Sequence, residues 1–74
     1  MKKISIQGQI QEIEREIALR QGVYPRMVRE GKLRQEEANM LMDRALAIRM
    51  TLIFCRDNEA DIRQFISQKK VSAA

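Results

Sequence analysis

The stretch ANMLMDRALAIRMTLIFC, residues 38–55, decides the fold of this chain. Apolar and small residues recur in it at alternating steps of three and four, and the spacing continues to residue 66 with Glu59 as its one interruption. Such spacing keeps one apolar seam on one side of an α-helix. The seam consists of Ala38, Leu41, Ala45, Ile48, Leu52, Cys55, Ile62 and Ile66. It predicts a long helix over residues 34–67, and Asp57-Asn58 is the one place where the pattern leaves a break open.

Apolar residues in this helix do not fit on one stripe. Besides the seam there is a second line, Met42, Leu46 and Ile53, and a third, Met40, Ala47, Met50 and Phe54. One antiparallel neighbour covers about one stripe, whereas a helix that is apolar nearly all round is buried by several neighbours. We therefore expect a homodimer or higher oligomer, with a coiled-coil-like dimeric four-helix bundle as the simplest form. The expected interface comprises Leu41, Met42, Leu46, Ile48, Met50, Leu52, Ile53 and Phe54.

A first amphipathic helix is predicted over residues 5–30. Its apolar positions show the same spacing, and Ser5 is a suitable N-cap residue; the positions are Ile6, Ile10, Ile13 and Ile17. Pro25 lacks an N–H and clashes with the preceding turn, so a kink is expected near residues 22–25. Gly22 suits a left-handed position at a helix end. A turn at residues 31–33 leads to the second helix.

The second helix has an unusual predicted start. Arg34 stands at the N-cap position, where Arg is a poor capping residue, and Glu37 follows three residues later. The expected architecture is an all-α helical hairpin with a kinked first helix and a long second one, assembled as an oligomeric bundle. It forms a single domain over residues 1–68, followed by a frayed tail at 69–74.

Composition limits the ways in which so short a chain can be stabilised. A domain of 74 residues buries only about 60% of its unfolded surface. The chain has one cysteine and no histidine, so an intrachain disulfide cannot form and a structural zinc site lacks its ligands. Oligomerisation is the remaining route. No apolar run approaches the ~20 residues that span a bilayer, and we expect a cytoplasmic protein without membrane contact.

Positive charge is concentrated in one segment. The net charge is +4, and residues 15–34 carry six cations against two anions. The cations are Arg15, Arg20, Arg26, Arg29, Lys32 and Arg34. They could hold nucleic-acid phosphates at the tip of the hairpin. The alternative is a solvated surface on which the arginines pair with nearby glutamates. The segment has no recognition-helix signature and no repeat of stacking aromatic residues.

Catalytic, cofactor-binding and metal-binding residues are not indicated. The chain lacks histidine, a glycine-rich phosphate loop and a nucleophile with a base in view. One remote enzyme alternative rests on small helical dimers such as the chorismate mutases, which work largely through buried arginines. Arg49 is embedded in the apolar stretch and Arg20 is its candidate companion, but helix lengths and motif do not match that family.

The pattern Val23-Tyr24-Pro25-x-x-Val28-x-x-Gly31-Lys32-Leu33, followed by Glu37-Ala38, resembles small phage- and prophage-encoded helical proteins of unassigned function. The similarity covers roughly residues 10 to 66, and Arg34 stands where those proteins often have Ser or Thr. The resemblance implies a phage-like accessory protein and brings no functional residues with it. We therefore expect a non-enzymatic accessory or adaptor protein that binds itself and a further, unknown protein. Nucleic-acid association through residues 15–34 is the second hypothesis.

Overall fold

The computed structural model describes the backbone of residues 2–73 and the side chains through Lys69. Within that range the chain forms three helices and no strand: α1 (Ile6–Arg29), α2 (Gln35–Asp57) and α3 (Glu59–Ala73). The all-α class predicted from the sequence is therefore confirmed. Nearly all packing between helices is between α1 and α2. Arg20 contacts Leu41, and Glu14 contacts Arg49, so α1 and α2 run antiparallel.

The start of α1 follows the local sequence closely. Ser5 is the N-cap, and its hydroxyl oxygen accepts a hydrogen bond from the backbone N–H of Gly8 at 3.1 Å. This bond satisfies one of the N–H groups that have no partner within the helix. The side-chain amide of Gln9 donates to the carbonyl of Ile4 at 3.1 Å and fixes the chain just before the helix.

Pro25 lies inside α1, which continues past it to Arg29. A proline at this position leaves the carbonyl of Gln21 without its helical donor. Both residues are exposed, so water can reach that carbonyl. Gly22 is part of the helix and does not adopt the left-handed conformation that its position before Pro25 suggested.

The left-handed glycine is Gly31, which has a φ of 73°. Its N–H donates to the carbonyl of Val28 at 3.1 Å, and the N–H of Lys32 donates to the carbonyl of Met27 at 2.9 Å. These two bonds form a Schellman motif, which satisfies carbonyls at the end of α1 and reverses the chain. The turn between α1 and α2 thus depends on a residue without a Cβ atom.

The sequence predicts one helix over 34–67 with a break left open at Asp57-Asn58, and the structure has two helices that are separated at Asn58. Both the backbone N–H and the side-chain amide of Asn58 donate to the carbonyl of Phe54, at 3.0 and 2.8 Å. The backbone bond is the ordinary helical one, whereas the side-chain bond is a local addition that asparagine favours. Asn58 itself leaves the helical conformation, with a φ of −115° and a ψ of 17°, and α2 ends here. The backbone of α3 is helical through Ala73, and the fraying expected at 69–74 stays a prediction. Ala74 lies outside the described residues.

The core between α1 and α2 is small. In the described part of the chain, the buried residues are Ile10 and Ile17 of α1 and Ala38 and Ala45 of α2. The antiparallel register places Ile17 at the level of Ala45, where the small side chain lets the helices approach closely. The chain is elongated, with extents of 58 × 23 × 22 Å. Its radius of gyration is 17.6 Å, against about 11 Å for a compact domain of this length.

We expect opposite effects on stability when Gly22 and Gly31 are each replaced by alanine. A Cβ atom at Gly22 meets nothing within 4 Å, whereas Gly31 has a positive φ. We expect Gly22→Ala to raise the free energy of unfolding by about 0.5–1 kcal/mol, because alanine favours the helix. Gly31→Ala should lower it by about 1–2 kcal/mol, because an L-residue is strained there. Urea unfolding followed by circular dichroism measures both, and a loss of stability in Gly22→Ala would contradict this assignment.

Candidate interaction surfaces

The side of α2 that faces away from α1 is apolar and exposed. This outer face comprises Met40, Ala47, Met50 and Phe54, the third apolar line of the sequence. Met50 is 70% exposed and Phe54 is 61% exposed. Large apolar side chains exposed singly are ordinary on protein surfaces, whereas several along one helix face make a candidate interaction surface. α1 covers the opposite side of α2 and leaves this row in solvent.

Two further apolar residues flank the contact between the helices, one on each side. Ile48 is 51% exposed and lies beside Ile13 and Leu52 in an open groove. Leu46 is 41% exposed and lies on the other side, near Ala18 and Arg49. The uncovered apolar surface therefore continues from the outer face of α2 onto both flanks of the α1–α2 pair.

The eight residues of the expected oligomer interface fall into two groups in the structure. Leu41, Met42, Leu52 and Ile53 are half-buried within the chain. Leu46, Ile48, Met50 and Phe54 are exposed. Met40 and Ala47 share the outer face with the last two, although the expected interface omitted them. The regular spacing of Met40, Ala47 and Phe54, seven residues apart, is the sequence signal that identifies this row.

The six cations of residues 15–34 are largely paired with carboxylates. Arg15 bonds Glu12 through both carboxylate oxygens, with the shortest contact at 2.6 Å. Three further pairs, with N–O distances of 2.8–3.0 Å, join Arg20 to Glu16, Lys32 to Glu30 and Arg34 to Glu37. Among the described residues, Arg26 and Arg29 form no ion pair, and they lie near the end of α1, where cations are favoured by the helix dipole.

Arg20 connects α1 to α2. Its Nε donates to Glu16 at 2.9 Å, and its Nη1 donates to the backbone carbonyl of Leu41 at 2.8 Å. The guanidinium also lies 5.8 Å from the centre of the Tyr24 ring, within the range of a cation–π contact. With these partners, Arg20 contributes to the packing of the helices and is less available to a ligand.

Arg34 and Glu37 form a side-chain bridge over the first turn of α2. Arg34 is the N-cap residue but makes no capping bond with its own side chain. Instead its guanidinium bonds Glu37 at 2.8 Å and lowers the pKa of that carboxyl, with a smaller contribution from the Arg34 backbone N–H. The Arg15 guanidinium likewise lowers the pKa of Glu12. Both glutamates are thus held in the charged form that pairs with these arginines.

Arg49 and Arg20, the two arginines of the remote enzyme alternative, are not buried. Arg49 contacts Glu14 of α1 at 3.3 Å and is 39% exposed, and Arg20 is bonded to Glu16. The described part of the chain contains no buried polar or charged residue. Cys55 is a free, half-buried thiol. Among residues 2–69, no group of three potential metal ligands lies close enough to hold an ion.

Comparison of the chain with protein-family models, curated proteins and solved structures finds no match. Within the described residues, no helix combines the length and the hydrophobicity that crossing a membrane requires.

The contacts of Arg20 predict a role in stability. Arg20→Gln removes the bonds to Glu16 and to the Leu41 carbonyl, and we expect it to lower the free energy of unfolding by about 1–2 kcal/mol. Arg26→Gln removes the same charge from an exposed position without an ion pair, so a change within about 0.5 kcal/mol is expected. Thermal and urea unfolding of the two variants measure the difference. Equal effects would show that the bridge from Arg20 to α2 is not stabilising.

Proposed function

We propose that this chain is a non-enzymatic accessory or adaptor protein that acts through protein–protein contacts as a homo-oligomer. The observation that carries the proposal is the apolar row on α2 that the chain itself leaves uncovered. A phage-like origin, implied by the sequence resemblance, is part of the proposal. A small chain of this kind has no enclosed site for a substrate in its described part, but it offers a long helical surface to other proteins.

Surface area supports self-association. The chain exposes 6277 Å², whereas a compact monomer of 8.7 kDa exposes about 4,700 Å². The excess is about 1,600 Å² per chain, and a stable specific interface buries about 800 Å² per partner. Obligate homodimers bury more and are richer in apolar residues, as the outer face of α2 is. An assembly that covers this face would remove much of the excess exposed area.

Nucleic-acid association remains the second candidate, and it rests on fewer residues than the sequence suggested. Only Arg26 and Arg29 of the six cations lack an ion pair among the described residues. Phosphate binding would require the other four to exchange their carboxylate partners for phosphate oxygens. Such an exchange is strongly salt-dependent, which separates this candidate from apolar association.

The proposal predicts the mass of the protein in solution. Light scattering after gel filtration should give a dimer or higher multiple of 8.7 kDa, unchanged between low and high salt. Met50→Glu combined with Phe54→Glu places two charges on the outer face and should yield a helical monomer. Gln7→Glu combined with Gln11→Glu adds the same charge at exposed positions of α1 and should leave the mass unchanged.

Two results would contradict the proposal. One is a monomeric mass for the wild-type protein at micromolar concentration. The other is a mass that falls with salt, together with co-purified nucleic acid that is lost in an Arg26→Gln, Arg29→Gln variant. The second result would favour the cations at the end of α1 as the functional site.

A further inference from the structure

The outer face of α2 has a shape that fits a copy of itself. A shallow hollow lies along it, lined by Glu36, Asn39, Met40, Asp43, Arg44 and Ala47. The hollow forms because Ala47 has a small side chain next to the longer Met40 and Arg44. Further along the same face, Met50 and Phe54 are the most exposed large apolar residues of α2. A hollow and a protrusion thus lie on one helix, on opposite sides of Ala47.

The spacing of the two features is symmetric about Ala47. Met40 lies seven residues before Ala47, and Phe54 lies seven residues after it. Seven residues are almost two helical turns, so both side chains project on the same side as Ala47. A two-fold axis through Ala47 that reverses the helix would place each protrusion against the hollow of the other copy. A contact of this kind uses the same patch twice and closes as a dimer.

We propose that two copies of this chain dock antiparallel across the outer faces of their α2 helices, with Ala47 at the crossing point and each Phe54 in the hollow beside Met40 of the other copy. This arrangement rests on the proposed function, since it specifies the geometry of the homo-oligomer. The small side chain at the crossing lets the two backbones approach closely.

Charge favours the antiparallel arrangement over a parallel one. Asp43 lies within the apolar row, four residues before Ala47, and Thr51 lies four residues after it. The antiparallel dimer sets each Asp43 opposite a Thr51, whose hydroxyl can donate a hydrogen bond to the carboxylate. A parallel dimer in register would set Asp43 against Asp43, and two carboxylates in an apolar seam repel each other and lose water.

A second copy also fits the amount of surface better than a short peptide does. The excess exposed area of about 1,600 Å² per chain exceeds what one short helix would cover, and it approaches the area per chain in obligate homodimers. The docking of two α2 helices leaves α1 on the outside of the dimer. The resulting arrangement of four helices is a layered bundle in which α2 contacts α1 on one side and the other α2 on the opposite side.

Engineered cysteines test the geometry directly. In a Cys55→Ser background, Ala47→Cys places a thiol at the crossing point, and oxidation with copper phenanthroline should link most chains into a covalent dimer. Met50→Cys is the matched control, because three residues separate it from the axis in each copy and it should not link to itself. A mixture of the Met40→Cys and Phe54→Cys proteins should form a mixed dimer that neither forms alone.

Light scattering of the reduced proteins separates the failure of this geometry from the failure of the oligomer. Linkage of both Ala47→Cys and Met50→Cys, without the mixed dimer, would show a parallel dimer and overturn the proposal. A dimeric mass without linkage at Ala47→Cys would place the interface elsewhere. That result would overturn the proposed geometry but would leave the proposal of a homo-oligomer intact. A monomeric mass for the Cys55→Ser protein and for the wild type would overturn both. Circular dichroism verifies that each variant retains its helices.

Discussion

The close approach of α1 to α2 at two alanines is the contact on which the rest of the structure depends. Ala38 and Ala45 are buried against α1, and the register places Ile17 at the level of Ala45. Because the alanines have little side chain to bury, this contact holds the helices together while hiding only one narrow strip of α2. Leu46, Met50 and Phe54 therefore remain exposed on a flank and on the outer face of α2. The exposed apolar surface of α2 is a consequence of this choice of small residues.

Local interactions determine where the helices begin and end. Most of these interactions involve residue types that are known to favour helix ends. Ser5 caps α1 and Gly31 ends it, because a hydroxyl acceptor and a residue without Cβ are needed at those two positions. The N-terminus of α2 is less typical, since the Arg34 side chain pairs with Glu37 instead of capping the helix. Arg20 then joins the two helices near the turn through a backbone carbonyl.

The helical class could be predicted from the sequence, because it follows from the spacing of the apolar residues alone. The sequence marked Asp57-Asn58 as the one place for a break but left open whether the helix ends there, because the bond from the Asn58 side chain to the Phe54 carbonyl is a local choice that periodicity does not register. The seam also placed Ile48 among inward residues, whereas the structure exposes half of it. Such a position drifts away from the buried side because alternating steps of three and four average about 3.5 residues, whereas an α-helix has 3.6 residues per turn. The pairing of Arg15, Lys32 and Arg34 with nearby glutamates depends on side-chain geometry, which charge counts do not contain.

The proposed assembly covers the outer face of α2, and the oxidation rates of the methionines test this coverage within one sample. In the isolated chain, Met50 is 70% exposed and Met40 is 43% exposed, whereas Met27 and Met42 are half-buried. Hydroxyl-radical labelling followed by mass spectrometry measures each rate separately. We predict that Met50 and Met40 react more slowly than Met27 at concentrations where the protein is assembled, and that Met50 becomes the fastest of the four on dilution. If Met50 reacts fastest at every concentration, the outer face is open to solvent and no assembly covers it.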